Sequence, residues 1–213
     1  MKNLTIGKYK DEMIAVLQDF IRIPSVEGTE KPNMPFGENT NNALEFVLNK
    51  GKEFGFKTKN IDGYAGYVEV GEGDHLIGIL GHVDVVPAGG GWDYPPFEGT
   101  VVDEKIYGRG SVDDKGPIIS ALYSLKLLQE NKLIAKGNRI RIILGTAEET
   151  SWEGIKYYAK NEEIPDVSFT PDANFPVIHG EKGLLDFDLK MKFNRNSDNN
   201  ISILSITGGD SRN

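Results

Sequence analysis

An α/β fold, with a mostly parallel sheet flanked by helices, is predicted by three features of the sequence. Segments with apolar residues at helical spacing alternate with short apolar or β-branched runs, of which Leu76–Leu80 and Arg139–Leu144 are the clearest. Strands alternating with helices imply layered α/β architecture. The 213 residues are 38% hydrophobic, enough to fill a sizeable core.

Taken in order, Met13, Ile14, Leu17, Phe20 and Ile21 recur at helical spacing between Lys8 and Ile21, and Pro24 follows as a stop. A loop rich in Gly, Pro and Asn (Val26 to Asn42) leads to a second amphipathic stretch carrying Leu44, Val47 and Leu48, which ends near Gly55. Runs of strand character follow at Tyr67–Val70, Leu76–Leu80, Val101–Val102 and Arg139–Leu144. Between the last two the spacing predicts a helix from about Gly116 to Glu130, with Ile118, Ile119, Leu122, Leu125 and Leu128 on its apolar side and Pro117 tolerated in the first turn. After Gly183 the texture changes: Leu184 to Phe193 and Ile201 to Ile206 alternate apolar and polar residues around a polar turn, the pattern of an antiparallel pair. Two units are therefore expected, 1–185 and the beginning of a second at 186–213. No internal repeat or low-complexity tract is present.

Composition excludes several classes of function. Lys plus Arg total 24 against 32 for Asp plus Glu, a net charge of -8, which speaks against general affinity for nucleic acid or anionic membrane. There is no cysteine, so a metal would have to be held by histidine and carboxylates. No apolar leader is seen and no window approaches the roughly 20 apolar residues that span a bilayer. The chain is placed in the cytoplasm on these grounds.

Four motifs carry possible chemistry. In Leu80-Gly81-His82-Val83-Asp84 an apolar run delivers a histidine and, two residues later, a carboxylate. Residues two apart share a face of extended backbone, so Asp84 can accept the second N–H of a ligating His82; a satisfied strand-end histidine is the alternative. Asp113-Asp114-Lys115, just before the long helix, reads as N-capping acids or as part of a site. The glycines before it lack a Walker or G-x-G-x-x-G pattern, which leaves nucleotide binding weakly supported. Glu148-Glu149 follows the strand Arg139–Leu144; paired acids there need a compensating cation or proton, or else form a solvated turn. Asp172, after Phe169-Thr170-Pro171, is a turn residue or a further ligand. Each motif follows a strand or opens a helix, and together they offer one imidazole and several carboxylates, a set suited to Zn²⁺ or Mn²⁺.

With these motifs in view, GHVDVVPAG, W-x-x-x-P-F, YGRGSVDDKGP, GTAEET and TPDANFP with HGEKG resemble the dinuclear-metal family that contains aminoacylase, succinyl-diaminopimelate desuccinylase and glutamate carboxypeptidase. DDKGP, EETSWEGIKYY and SFTPDANFP look most like its bacterial Xaa-His dipeptidases. The resemblance implies a zinc-peptidase-like catalytic domain and hydrolysis of dipeptides by a water activated between two divalent ions, Zn²⁺ or Mn²⁺. It makes His82 and Asp172 ligands of the first ion, Asp113 the bridge, Glu149 a ligand of the second, Glu148 the general base and Asp84 the orienting partner of His82. It also implies a cis peptide between Asp113 and Asp114.

The family's fifth ligand, a histidine near the carboxyl terminus of a longer chain, has no counterpart: His75 reads as the start of a strand, and HGEKG around His179 matches a family strand. Most of the family's lid domain is also absent, and the expectation is of a catalytic unit cut short after the lid begins. The competing reading is a non-catalytic piece that binds at most one metal ion or pairs with a complementary fragment.

Overall fold

In the computed structural model, residues 5–174, 176–180, 182, 183, 185 and 190 are described. Helix α1 (Lys10–Ile21) turns Val16, Leu17, Phe20 and Ile21 inward, the stripe its apolar spacing dictates. A 3-10 turn (Ile6–Tyr9) leads into it, and the Thr5 hydroxyl caps that turn by accepting from the Gly7 N–H at 3.2 Å. Helix α2 (Glu38–Glu53) buries Ala43, Leu44, Val47 and Leu48. It lies so close to the neighbouring sheet that a Cβ on Gly51 would stand 2.9 Å from a Val68 methyl.

The described strands are β1 (Lys57–Ile61), β2 (Ala65–Gly71), β3 (His75–His82), β4 (Thr100–Val102), β5 (Lys105–Tyr107), β6 (Asn138–Gly145) and β7 (Val167–Phe169). Five of them form one sheet in the order β1-β2-β6-β3-β7. The pairs β3–β6 and β3–β7 are parallel, whereas β2 runs antiparallel to both β1 and β6, so four of the five strands point one way. This is the mostly parallel sheet expected, with one reversed strand inside it. The reversal comes from the tight turn at Asp62 and Gly63, both in left-handed conformation (φ 53° and 75°), which folds β2 back on β1.

The run at Val101–Val102 is a strand, but of a separate hairpin, β4 with β5. Asp103 and Glu104 between them both have positive φ (48° and 61°), the geometry of a two-residue hairpin turn, and Ile106 of β5 packs against the core from outside the main sheet.

Helix α3 (Lys115–Glu130) buries Ile118, Ile119, Leu122 and Leu125 as its spacing predicts. Along β6 successive side chains go to opposite faces. Ile142 and Leu144 join Phe20, Leu44, Ile118 and Leu122 in the core under α1, α2 and α3, while Ile143 packs with Tyr67 and with Tyr158 of α4 (Glu153–Asn161) on the other face. On that second face Glu69 and Arg141, each 3% exposed, form a buried ion pair. Arg141 Nε donates to Glu69 at 2.7 Å, its Nη1 donates to the Tyr158 hydroxyl at 2.8 Å, and its guanidinium lies 4.0 Å over the Tyr67 ring.

From position 184 onward only Leu185 and Lys190 are described, so the expected antiparallel pair and the unit at 186–213 lie outside the described residues. Among the described residues no helix is long and apolar enough to cross a membrane.

Candidate metal centre

The parallel strands β6, β3 and β7 all end at one edge of the sheet, where ligands gather in open α/β folds. β3 ends at His82, whose partner in the β6 ladder is Gly145, and Val83 extends that ladder by donating to the Gly145 carbonyl at 2.9 Å. The register therefore sets His82 beside the turn that carries Glu148 and Glu149. β7 leads, three residues past its end, to Asp172, and Asp113-Asp114 stands at the amino-terminal end of α3.

The His82 ring is buried at the centre of this group. Its Nε2 lies 2.9 Å from Asp113 Oδ1, 3.4 Å from Asp172 Oδ2 and 3.9 Å from Glu148 Oε2. Two sets bring donor atoms within 4.8 Å of one another: His82 with Asp113 and Glu149, and His82 with Glu148 and Asp172. All six residues singled out in the sequence thus meet in one place. One difference of grouping stands out, since the resemblance keeps Glu148 outside the ligand set and the geometry sets it beside His82 and Asp172.

Asp84 does more than sit behind the histidine. His82 Nδ1 is 3.0 Å from the Asp84 carbonyl oxygen and 3.5 Å from its carboxylate. That carboxylate accepts the backbone N–H of Glu148 on one oxygen and of Glu149 on the other, each at 3.1 Å. A single buried acid therefore fixes both the imidazole and the turn bearing the paired glutamates.

Of the two readings the sequence left for Asp113-Asp114, side-chain capping is not what Asp114 does: it stands at the N-cap of α3, but its side chain makes no capping hydrogen bond. The peptide between Asp113 and Asp114 is cis. Asp114 is fully buried, and its Oδ2 accepts the backbone N–H of His82 at 3.1 Å. Gly81 makes room for it, because a Cβ there would stand 2.5 Å from the same oxygen. Lys115, also fully buried, donates to the carbonyls of Phe20 and Ile23 at 3.0 and 2.6 Å, tying the start of α3 to the end of α1. For Lys115 the only signal in the sequence was its place in a charged triplet opening an otherwise apolar helix.

Burial alone would depress the His82 imidazole, but Asp113, Asp172 and Asp84 around it carry it above its usual range. Burial raises Glu148, with Asp172, Asp84 and Asp113 adding to the shift. Burial, then the nearby Asp113, pushes Glu149 up to about 7, and burial pushes Asp114 up to about 8. The Asp113 carboxyl is held low, chiefly by its hydrogen bond to His82. Five carboxylates with one imidazole make a donor set of nitrogen and oxygen, crowded with negative charge that a cation would relieve. The residues present fit a divalent metal. The other two histidines belong to neither set: His75 starts β3, 77% exposed at its side chain, and His179 is exposed.

The profile of Peptidase family M20/M25/M40 matches residues 78–195. A Bacillus subtilis (strain 168) protein named "Putative dipeptidase YtjP" is 47% identical over 182 residues, covering 84% of this chain and 39% of that protein. A "Putative dipeptidase" of Staphylococcus epidermidis is 47% identical over 184 residues, covering 85% and 39%. The chain thus spans about two fifths of the length of these curated relatives. Among solved structures, human carnosine dipeptidase 1 superposes with a TM-score of 0.65 at 20% identity, covering 80% of this chain and 40% of that one. The Bacillus subtilis YXEP protein, described as a dinuclear metal binding peptidase from the M20 family, gives 0.55 at 14% identity, covering 77% and 43%. These likenesses establish the α/β catalytic-domain fold. With the profile covering more than half of the chain and its motifs gathered at one sheet edge, the chain belongs to peptidase family M20/M25/M40.

Proposed function

We propose that this chain carries the catalytic centre of a metal-dependent dipeptidase, which hydrolyses the peptide bond of dipeptides with two divalent ions, Zn²⁺ or Mn²⁺. The observation that carries the reading is the convergence of His82 with Asp113, Glu148, Glu149 and Asp172 at one strand edge. His82, Asp113 and Asp172 would hold the first ion, and Asp113 and Glu149 the second. Bound there, the pair supplies Lewis-acid polarisation of the scissile carbonyl and a water of lowered pKa. Glu148, raised above the usual carboxylate range, takes the proton of the attacking water at its side-chain oxygen and returns it to the leaving amine. Asp84 keeps that carboxylate in place through the backbone of the 148–149 turn. The names of the bacterial relatives and the cysteine-free composition support a dipeptide substrate and a cytoplasmic setting.

Metal content and hydrolysis of Ala-His by the purified chain, supplied with Zn²⁺ or Mn²⁺, test this reading. Glu148→Gln is expected to lower turnover by about 10²- to 10⁴-fold with metal content retained. Glu149→Gln is expected to lose an ion. Equal metal loss in the two variants overturns this division of roles.

A second reading has its own observation. Among the described residues β7 is a three-residue edge strand, and its Val167 and Phe169 are 60% and 58% exposed, an apolar strand with no described neighbour on one side. On this reading the chain alone binds at most one ion and pairs through that edge with a complementary polypeptide. One ion or none, without turnover, favours it; two ions with turnover favour the first.

A further inference from the structure

The loop that runs on from His82 and Asp84 encloses a feature that hydrolysis itself does not use. It is a cavity of about 290 Å³, walled by Trp92, Tyr94, Tyr107 and Arg109, with Asp93 also on its lining, and bordered by Gly90. Its walls are planar groups held in place. The Trp92 indole N–H donates to the Ala88 carbonyl at 2.7 Å. The Arg109 guanidinium lies 5.3 Å from the centre of the Trp92 ring and donates from one nitrogen to the carbonyls of Pro87 and Ala88 at 3.4 and 3.3 Å. Tyr94 and Tyr107 pack with their centroids 4.8 Å apart and their planes tilted by 46°. Engaged in this way, Arg109 contributes a stacking plane to the wall as well as a charge.

Both sides of the cavity are covalently close to the metal centre. Trp92 and Tyr94 stand on the segment leading away from Asp84, and Arg109 is four positions before Asp113. Gly90 adds an independent observation. A Cβ there would meet nothing within 4 Å, and its backbone lies outside the left-handed region that favours glycine, so neither packing nor conformation requires a missing side chain at that position. The bare backbone leaves the border of the cavity open.

Ring faces and a guanidinium plane favour offset or edge-to-face contact with another flat, apolar group. The volume is at the small end of ligand pockets, the room for one side chain and not for a long peptide. We propose that this cavity is a side-chain subsite beside the scissile bond, selecting peptide substrates that carry an aromatic ring. The proposal rests on the hydrolytic reading for the identity of its ligand, and its test is binding, which can be read without turnover.

Ala-Phe and Ala-Ala are titrated into the Zn²⁺-supplied chain by calorimetry, with tryptophan fluorescence as a second signal. Ala-Phe is expected to bind about tenfold more tightly, and Trp92→Phe to remove most of the fluorescence change. Trp92→Ala, which strips the wall, and Gly90→Leu, which fills the border, should each bring the two affinities within about twofold. Far-UV circular dichroism checks that both variants remain folded, and Gly90→Leu serves if Trp92→Ala does not fold. Equal binding of the two peptides, no detectable binding of either, or a preference that survives both variants overturns the subsite. Tighter binding of Ala-Glu than of Ala-Phe overturns it too, in favour of an anion site at Arg109. A ring preference without hydrolysis refutes the catalytic reading and leaves the subsite standing; hydrolysis without ring preference does the reverse.

Discussion

Midway along β6, Arg141 is buried against Glu69; just past the end of the same strand, Glu148 and Glu149 are drawn towards Asp84, Asp113 and Asp172. The first cluster closes its own account of charge, with guanidinium on carboxylate, a tyrosine hydroxyl beneath and an aromatic ring above. The second gathers five carboxylates on one imidazole, which raises the proton affinity of the imidazole, and burial, with the neighbouring acids adding to it, raises that of both glutamates. Two groups buried in the same sheet thus follow opposite rules. A structural site neutralises itself, and a functional one leaves a charge to be supplied from outside.

The largest expected effect breaks the self-sufficient cluster. Arg141→Met takes from Glu69 its most buried partner and leaves it only Arg139 and Lys57, at 3.3 and 3.4 Å on the rim of the cluster, and should cost about 2–3 kcal/mol of unfolding free energy. Urea denaturation reads this, and adding Glu69→Gln should restore most of the loss. A cost under about 1 kcal/mol would mean that water reaches Glu69, and that the contrast is one of geometry and not of charge.

A smaller effect sharpens the other side of the comparison. In the metal-free chain, Asp114 near 8 and Glu149 near 7 hold protons more tightly when folded than their ordinary values of 3.8 and 4.5 allow when unfolded. Between those values the folded state binds more protons, so this contribution to stability is greatest at low pH. It is lost progressively as pH rises from about 4 and is gone above about 7 to 8. With a chelator present, the urea midpoint of the wild type should fall between about pH 4.5 and 7 relative to Glu149→Gln, and saturating Zn²⁺ should reverse the order of the two proteins. Identical pH profiles for both would mean that Glu149 takes up no extra proton on folding.

The least effect is expected at a pair that is neither buried nor crowded. Arg22 and Asp19 meet at 2.7 Å on the surface of α1, with side chains 52% and 62% exposed. Arg22→Ala should change stability by no more than about 0.5 kcal/mol, within the error of most thermal melts. A larger change would mean that distance outweighs burial in ranking the charges of this chain.

Much of the centre was legible because its residues stand where apolar runs stop. His82 closes β3, Glu148 and Glu149 follow β6, and Asp113 precedes α3, so a change of hydrophobic pattern marks each one. Helix α3 was legible almost to the residue, since Ile118, Leu122 and Leu125 keep a strict helical period. β1 was not: Lys57-Thr58-Lys59-Asn60-Ile61 is an edge strand exposed along most of its length, so tertiary pairing with β2 makes it a strand where its own composition does not. β2 was found but its direction was hidden, because direction depends on the turn at Asp62-Gly63 and not on the apolar run itself. The second duty of Asp84 and the burial of Asp114 were also out of reach, since both depend on which backbone N–H groups arrive nearby after folding.

The pairing of His82 with Gly145 also has a kinetic side. The imidazole and the glutamate turn come from distant stretches of chain, brought together only when the parallel β3–β6 ladder has zipped to its end, and long-range parallel pairing is slow to form. An ion that needs both groups therefore meets its site late, after the sheet has chosen its register. Such an ion acts as a latch on the finished fold: it lengthens the lifetime of the native state against unfolding and leaves the rate of folding nearly unchanged.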